Sequence, residues 1–413
     1  MILQIGTFHK EGGAAVAALR LQQALLKSGV DCQLLVHTME APQEHVTPWA
    51  DTTFKKRIAW LQFVGERLAF LPFEKDSSIR FAFSPATVGT DISNHPLVQK
   101  ATVLHLHWIN FGFLSLDSLA KLFALKKPIV WTMHDMWPIT GGCHYSRGCT
   151  RFYEHCHNCP FLSKPDDYDL SFRQFEKKMH FYEPANLTFV APSQWLTDMT
   201  LKAPLRKHHS ALAIPNCIDT HLFFPVEKNK AKEALNLPLS KKLILFSGVN
   251  TADPRKGYSY FEKAINSLDR DEVEIMIFGK GKIQDFDTLN VKVHFLGKIS
   301  DTETLINAYS AADLVVVPSL EDNLPNTIME AMACGTPVVG FDTGGIPEMI
   351  DHQKNGYVAI SKSAESLKKG ILFVLETNQN SSLSEAARTK VLATYSENVI
   401  AKRHLELYES ISK

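Results

Sequence analysis

The chain has 413 residues, a length that predicts two domains because a single hydrophobic core rarely grows so large. Hydrophobic residues make up 45% of it and charged residues 21%, which is the composition of a globular protein and excludes a disordered one. The 44 basic and 44 acidic residues balance, so no nucleic-acid partner is expected.

Membrane-span and secretion signals are weak in the sequence. The longest apolar runs are far shorter than the about 20 residues that a membrane span requires. The first residues, MILQIGTFHKEGG, do not have the layout of a signal peptide. Four of the seven cysteines are clustered, which favours one metal site over a disulfide framework. We therefore expect a cytoplasmic protein.

The N-terminal stretch predicts a strand, a glycine turn and a helix. Met1–Phe8 is a buried strand, Ala14–Lys27 has helical spacing of its apolar residues, and Cys32–His37 is the next strand. Gly12 and Gly13 lie between the first strand and the helix. They would let a ligand approach the backbone at the helix N-terminus, although a tight turn explains the pair equally well.

Residues 53–71, TFKKRIAWLQFVGERLAFL, predict an amphipathic helix with a basic start. Such a helix can lie on an anionic membrane surface. It can also be an insertion that packs on the N-terminal domain, and we favour this second interpretation. Peripheral membrane contact through 53–71 is kept as a hypothesis.

Two further strands, Val103–Leu106 and Ile129–Met133, are each followed by aromatic and polar side chains. Indole rings stack on the apolar faces of sugars, and imidazoles can bond to sugar hydroxyls. Histidines near strand ends are often structural, so both interpretations stay open. The residues concerned are His107, Trp108, Asn110, His134 and Trp137.

A cysteine cluster with the spacing C-x5-C-x6-C-x2-C comes next, formed by Cys143, Cys149, Cys156 and Cys159. Four thiolates within seventeen residues can close a tetrahedral zinc site, and a closed site of this kind is structural rather than catalytic. The alternatives are reduced free cysteines and, less in keeping with the cytoplasm, disulfides. The sequence leaves open whether a neighbouring histidine replaces a cysteine: His144, His155 or His157.

The second half begins with the strand Lys242–Gly248 and a turn that carries Arg255 and Lys256 before a helix. Fixed positive charges beside a helix start suit a diphosphate group, although an exposed basic pair is often only a solvated surface. Two more strands each end in a glycine-containing loop: Gly279-Lys280-Gly281, and Gly297 to Ser300 with Ile299 in it.

The stretch from Pro318 to Gly345 predicts a strand–loop–helix–strand unit, in which ligands bind at the carboxyl end of the strand. The two strands are Leu314–Val317 and Val338–Phe341. Asn326 is the predicted N-cap of a helix from about Thr327 to Cys334, with Gly335 as its stop. The first amides of this helix, at Asn326 and Thr327, suit a phosphate.

Two acids stand in the same unit, Asp322 in the loop and Glu330 in the helix. Glu330 is a candidate for ribose hydroxyls and Asp322 for a transferred sugar. An ordinary strand-to-helix turn with a solvated acid is the alternative.

The Asp322-x7-Glu330 pattern resembles the signature of retaining, family 4 glycosyltransferases, with Asp322 where the family usually has Glu. The His134, Lys256-Gly257, APSQW and IPNCID segments are also similar to family motifs, so the resemblance covers nearly the whole chain. An Arg that often follows the strand-end glycine is replaced by Val249, for which Arg255 would compensate.

The resemblance implies an α/β GT-B fold of two Rossmann-like doubly wound domains that face each other across a deep cleft. The N-terminal acceptor domain would be 1–220, with the Cys-rich loop 141–163, and a helix at 394–413 would cross back to it. The donor domain would be 221–393.

The resemblance also assigns roles. The catalytic residues would be His134, Lys256, Arg255 and Asp322, and no catalytic metal is expected. The donor would contact Gly12, Gly13, Gly279, Lys280, Ile299, Asn323, Leu324, Asn326, Thr327 and Glu330. The acceptor would contact His107, Trp108, Asn110 and Trp137.

The implied activity is transfer of a sugar, with retention, from a UDP- or GDP-linked donor to a carbohydrate or lipid-linked oligosaccharide acceptor. The motifs look most like those of bacterial exopolysaccharide (colanic-acid type), capsule or O-antigen hexosyltransferases, which would place the protein in the cytoplasm or peripherally on the inner face of the membrane. The alternatives are a sugar-nucleotide epimerase or hydrolase of the same fold, and a zinc-stabilised binding protein without catalysis.

Overall fold

The computed structural model describes residues 1–249, 253–268, 271–280, 283–377 and 381–412. Gly281, part of the predicted loop Gly279-Lys280-Gly281, lies outside these residues. The chain divides into two units. Unit 1 is Met1–Cys217 together with Ile400–Lys413, and unit 2 is Ile218–Val399. The sequence had suggested boundaries at 220 and 394.

Unit 1 is built on a parallel sheet with the strand order β3-β2-β1-β4-β5-β6-β7. Its strands are short and apolar on both faces, as a sheet covered by helices on both sides requires. They are β1 (Ile2–Gly6), β2 (Cys32–Val36), β3 (Val46–Pro48), β4 (Val103–Leu106), β5 (Ile129–Thr132), β6 (Leu187–Ala191) and β7 (Ser210–Ala213).

The helices of unit 1 mostly begin at residues whose side chains accept a hydrogen bond from the first turn. Thr52, Ser115, Asp169 and Ser193 are such N-caps, and Ser193, in the APSQW segment, accepts from the Leu196 amide at 3.1 Å. The helices are α1 (Gly13–Lys27), α2 (Thr53–Phe70), α3 (Pro96–Lys100), α4 (Leu116–Phe123), α5 (Leu170–Tyr182) and α6 (Gln194–Lys202).

Unit 2 has a second parallel sheet, with the order β10-β9-β8-β11-β12-β13. The order reverses direction at β8 and β11, and the crevice at such a switch point is where ligands bind in open α/β sheets. The strands are β8 (Lys242–Val249), β9 (Val273–Gly279), β10 (Val293–Phe295), β11 (Leu314–Val317), β12 (Val338–Phe341) and β13 (Gly356–Ala359).

The remaining helices are α7 (Lys228–Ala234), α8 (Tyr258–Asn266), α9 (Thr302–Ala311), α10 (Asn326–Ala333), α11 (Ile346–Met349), α12 (Ala364–Thr377), α13 (Ser382–Thr394) and α14 (Glu397–Ile411). Short 3-10 turns occur at Trp137–Ile139, Arg151–Tyr153, Pro204–Arg206, Pro254–Lys256 and Ile283–Phe286. From Ile400 onward α14 belongs to unit 1, where the Tyr408 hydroxyl and His105 Nδ1 are 2.6 Å apart.

The predicted fold class, two Rossmann-like parallel-sheet domains, is confirmed. Strand β7 ends at Ala213, directly before the IPNCID segment. Strand β10, the second of the two strands predicted to end in a glycine-containing loop, has only three residues, Val293–Phe295. In the described part of the chain, no helix combines the length and the apolar character needed to cross a membrane.

Candidate active site

The loop between β11 and α10 is the centre of the candidate site in unit 2. Helix α10 begins at Asn326, and Pro325 occupies the N-cap position without a side-chain cap. The predicted N-cap at Asn326 is therefore wrong by one residue, because the extended backbone of Pro325 already ends the loop. Gly335 follows the C-cap Cys334 in the left-handed conformation (φ 74°), which confirms the predicted helix stop.

Two glycines allow three loops of unit 2 to pack backbone against backbone. A Cβ added at Gly257 would lie 1.9 Å from the Pro318 carbonyl oxygen, and one at Gly344 would lie 1.7 Å from that of Asp322. Both glycines also have positive φ, which L side chains rarely adopt. The Gly345 amide donates to the Asp322 carbonyl at 3.1 Å, so the backbone of Asp322 is held from outside its own loop.

An ion pair joins two of these loops. Lys256 Nζ lies 2.7 Å from Asp322 Oδ2, and the two side chains are 33% and 12% exposed. Arg255 instead donates to the carboxylate of Asp253 in its own turn, at 2.8 Å. The structure thus brings together two of the predicted residues, Lys256 and Asp322, and holds the Arg255 guanidinium at its own turn.

Glu330 is buried in α10 and has a partner that the sequence did not indicate. The Tyr309 hydroxyl, on α9, donates to Glu330 Oε2 at 2.8 Å. Burial raises the pKa of Tyr309 well above its usual value and the Glu330 carboxylate raises it further, so Tyr309 remains a donor. No motif marks Tyr309, because its link to Glu330 depends on how α9 packs against α10.

The other predicted donor residues of unit 2 differ in their burial. Asn323 and Leu324 are buried in the loop before α10, and Thr327 is the second residue of that helix. The Gly279 amide donates to the Gly297 carbonyl at 2.9 Å, which links the two glycine loops. The two remaining residues lie in these loops: Lys280 is exposed and Ile299 half-buried.

In unit 1, histidines meet at the carboxyl ends of β4 and β5. His107 Nδ1 and His134 Nε2 are 3.0 Å apart, and their rings stack. Burial lowers the pKa of His134 to about 4, against a small opposing effect of Asp135, and lowers the pKa of His107 well below its usual value. At neutral pH the pair is uncharged, so one nitrogen donates and the other accepts.

Two buried polar atoms at this edge of the sheet have no hydrogen-bond partner among the described residues, His107 Nε2 and Asn110 Nδ2. Such atoms are rare in folded proteins and are satisfied by water or a ligand where the site admits one. Small cavities of about 10 Å³ adjoin His107 and His134. These atoms suit the binding of hydroxyl groups.

Asp135 anchors the loop after β5. Its Oδ2 accepts from the Trp108 indole at 2.8 Å and lies 2.6 Å from His144 Nδ1, while its Oδ1 accepts from the Trp137 amide. Burial alone would raise the pKa of Asp135, but His144 and these hydrogen bonds lower it. Trp108 also stacks on Phe8 and on the His144 ring, so its orientation is fixed.

Trp137 does not support its predicted role in acceptor binding. Only 1% of it is exposed, its indole donates to the Ser84 carbonyl at 2.8 Å, and Lys178 Nζ lies 3.4 Å from the ring centre. The ring therefore belongs to the core, where no sugar can stack on it.

The predicted Gly12-Gly13 turn is open. Gly12 is the N-cap of α1 with φ 85°, and Gly13 is the first helical residue. An added Cβ at Gly12 would meet no atom within 4 Å. Glycine is required here for the backbone angle and not for close packing within the protein.

The four cysteines of the Cys-rich loop, Cys143, Cys149, Cys156 and Cys159, line one cavity of about 20 Å³. Among the described residues, however, no group of three or more His, Cys, Asp or Glu is arranged to hold a metal ion. The predicted zinc site is therefore not supported by this geometry.

Two of the three histidines in the loop have both ring nitrogens engaged. His144 binds Asp135 and Ser84. His155 binds the Cys156 carbonyl and Glu176. His157, whose Nδ1 lies 2.9 Å from Asn158 Nδ2, is the histidine that lines the cavity. Of the replacements left open by the sequence, His157 alone keeps a place beside the cysteines.

Comparison with known proteins identifies the family of the chain. Residues 11–222, just over half of the chain, match Glycosyltransferase Family 4, and residues 227–390 match Glycosyl transferases group 1. The chain is 26% identical to the putative colanic acid biosynthesis glycosyl transferase WcaC of Escherichia coli K12, over 87% of each chain.

Two further proteins are similar. An α-1,3-N-acetylgalactosaminyltransferase of Campylobacter jejuni that acts on N,N'-diacetylbacillosaminyl-diphospho-undecaprenol is 30% identical over 48% of this chain and 53% of its own. The Anabaena protein HepE, solved in complex with UDP, has the same fold, with a TM-score of 0.66 and 17% identity over 99% of both chains. The chain therefore belongs to glycosyltransferase family 4 and is a glycosyltransferase of the GT-B fold.

Proposed function

We propose that this enzyme transfers a hexose, with retention of the anomeric configuration, from a nucleoside diphosphate sugar to a carbohydrate or lipid-linked oligosaccharide during cell-surface polysaccharide synthesis. The observation that carries the proposal is the Lys256–Asp322 ion pair at the carboxyl end of β11, beside the start of α10. It combines a fixed cation for phosphate with a carboxylate for sugar hydroxyls.

The proposed donor is UDP- or GDP-linked. A diphosphate would bind near Lys256 and the first amides of α10, where the helix dipole favours an anion. Glu330, whose Oε2 is oriented by Tyr309, would accept hydrogen bonds from the ribose hydroxyls. The complex of HepE with UDP supports a uridine donor, and the loops at Gly279 and Ile299 would flank the base.

The proposed chemistry is displacement on one face of the sugar, as the family resemblance implies. The bond between the anomeric carbon and the diphosphate oxygen breaks while the acceptor oxygen bonds to that carbon from the same side. The proton of the acceptor hydroxyl passes to the leaving diphosphate. Lys256 and Arg255 would stabilise the charge that develops on the leaving diphosphate, a role that preorganised charges perform well. Asp322 of unit 2 would accept hydrogen bonds from hydroxyls of the donor sugar. The uncharged His134 of unit 1 would bond to a sugar hydroxyl.

The proposed acceptor is a sugar chain recognised by unit 1. His107, Trp108 and Asn110 supply buried polar atoms and a rigid indole beside His134. The similarity to WcaC supports an exopolysaccharide product, and the partial similarity to the Campylobacter jejuni enzyme supports a lipid-linked acceptor. The family resemblance adds the proposal that the enzyme acts in the cytoplasm or on the inner face of the membrane.

The function is tested by incubating the enzyme with UDP- and GDP-linked hexoses and lipid-linked or free oligosaccharide acceptors. We expect release of nucleoside diphosphate that depends on the acceptor, and a product whose anomeric configuration matches that of the donor by NMR. Release without an acceptor would indicate a hydrolase. Conversion of the donor sugar without any release would indicate an epimerase.

A structural zinc ion in the Cys-rich loop remains a separate proposal, supported by the four cysteines that line one cavity. Metal analysis of the purified protein should give about one zinc per chain. Zinc-free protein with full activity and unchanged thermal stability would contradict it and leave four reduced cysteines as the alternative.

A further inference from the structure

Helix α2 presents a row of large apolar side chains to solvent. Phe54, Leu61 and Leu68 are spaced by seven residues, so they lie along one line of the helix, and they are 72%, 58% and 59% exposed. Trp60 and Leu71 flank this line with 63% and 48% exposure. Together they expose on the order of 500 Å² of apolar surface, near the upper end for a monomeric protein. We call these five residues the α2 outer face.

The opposite side of α2 is packed against the rest of unit 1, so the helix is firmly attached. Ala59, Glu66 and Phe70 are buried. Gln62 binds both His37 and Thr90 through its side chain.

The carboxylate of Glu66 strengthens this attachment. It accepts the amides of residues 86, 87 and 88, at 2.7 to 3.2 Å. A carboxylate bound by several backbone amides makes a strong, charge-assisted contact. The helix is thus held by its inner side, and what remains outside is available to a partner.

The exposed charged side chains within α2 are all basic. Lys56 and Arg57 are exposed at its start, and the one carboxylate in the helix sequence, Glu66, is buried on the inner side. Asp51, just before the helix, is exposed but pairs with Lys55 at 2.9 Å. An apolar face bordered by cations, with this nearby acid already paired, is complementary to an anionic lipid surface, where tryptophan and basic residues lie at the headgroup level.

We propose that the α2 outer face attaches the enzyme to an anionic membrane surface, with α2 lying in the plane of the interface. The attachment would bring unit 1 to acceptors held in the same membrane. The proposal stands on the exposed side chains and their charges and does not require the proposed transfer reaction. Vesicle binding is measured without donor or acceptor, so the two can fail separately.

The test is co-sedimentation of the full chain with phosphatidylcholine vesicles that contain or lack phosphatidylglycerol. We expect pelleting with the anionic vesicles that weakens as salt is added, because salt screens the attraction to anionic lipid. Pelleting should be weaker when phosphatidylglycerol is absent. Leu61→Glu and Leu68→Glu should each weaken vesicle binding about tenfold or more, because a buried leucine contributes strongly. Lys56→Glu with Arg57→Glu should remove the preference for anionic vesicles.

The matched control is Leu239→Glu. Leu239 is 51% exposed in unit 2, so the same substitution there should leave binding unchanged. Trp60 supplies a second readout, because its fluorescence should shift to shorter wavelength on binding and the shift should be lost in Trp60→Phe. Far-UV circular dichroism verifies that each variant is folded.

Three results would overturn the proposal. The first is that the wild-type chain does not pellet with anionic vesicles. The second is that the Leu61→Glu and Leu239→Glu variants bind equally well, and the third is that binding is independent of phosphatidylglycerol. If the occupant of the outer face is instead a second copy of the chain, the wild type is a dimer by light scattering and Leu61→Glu is a monomer, with no vesicle binding by either.

Discussion

The carboxyl ends of the strands in unit 1 carry mainly buried imidazoles, whereas those in unit 2 carry an ion pair. The His107–His134 pair is neutral, since burial lowers the pKa of both rings. The Lys256–Asp322 pair is partly exposed, with its Nζ and Oδ2 atoms 2.7 Å apart. The two regions therefore offer different groups: the uncharged imidazoles of unit 1 suit sugar hydroxyls, whereas unit 2 offers an ammonium group that suits a diphosphate and a carboxylate that suits sugar hydroxyls.

The packing of the turns differs in the same way. The Gly12 turn of unit 1 has open space around it, whereas Gly257 and Gly344 in unit 2 are enclosed by backbone. The open turn can admit a ligand or change shape at little cost. The enclosed turns hold Asp322 in a defined position, which a preorganised electrostatic site requires.

The largest expected effect is on catalysis in unit 2. Lys256→Ala removes the cation from the ion pair, and we expect turnover to fall by about 10²- to 10³-fold, the usual loss for a preorganised charge. Steady-state release of nucleoside diphosphate measures it. Lys369→Ala is the control, because Lys369 pairs with Glu365 on the surface of α12. Equal activity of the two variants would show that the positive charge of Lys256 is not needed for transfer.

The second prediction compares the two kinds of turn. In Gly344→Ala the new Cβ meets the Asp322 carbonyl in a left-handed conformation, and we expect a loss of unfolding free energy of about 2–4 kcal/mol together with weaker donor binding. Gly12→Ala is the control: it suffers the backbone strain alone, about 1–3 kcal/mol. Chemical denaturation measures the unfolding free energy of both variants. An equal loss in the two would show that the close contact between the new Cβ and the Asp322 carbonyl is unimportant.

The third prediction concerns acid. The pKa of His134 is about 4 in the folded chain and 6.5 in the unfolded chain. Between these pH values the ring is therefore protonated in the unfolded chain and uncharged in the folded chain. Stability is therefore full above pH 6.5 and decreases as the pH falls toward 4, by about 3 kcal/mol for this residue alone.

Tryptophan fluorescence reports the unfolding of unit 1 alone, because all six tryptophans lie in that unit. The melting temperature seen by fluorescence should fall with acid, and His134→Gln should reduce the dependence. A melting temperature independent of pH in this range would mean that the histidines of unit 1 are charged when folded.

The smallest expected effect is on donor affinity. Tyr309→Phe removes the hydrogen bond to Glu330, and we expect KM for the donor to rise about fivefold with kcat nearly unchanged, the size of one lost hydrogen bond. Tyr395→Phe, at another buried tyrosine of unit 2, serves as the control. A fall in kcat without a change in KM would place Glu330 in the chemical step instead of in ribose binding.

The sequence by itself determined the order of strands and helices, because apolar runs of four to eight residues and N-cap residues are local signals. The strands at Val103–Leu106, Leu314–Val317 and Val338–Phe341 were predicted to the residue. The motif around Asp322 and Glu330, together with the resemblance it carries, also identified the family. Local chemistry was enough for these conclusions.

The tertiary structure alone decided which side chains meet. Lys256 and Asp322 are 66 residues apart and come together through the pairing of β8 with β11 and the glycines that let their loops touch. Tyr309 reaches Glu330 from another helix, and Trp137 lies in the core although the sequence predicted a role for it in acceptor binding. Such contacts depend on register and packing between distant segments, which no local pattern encodes.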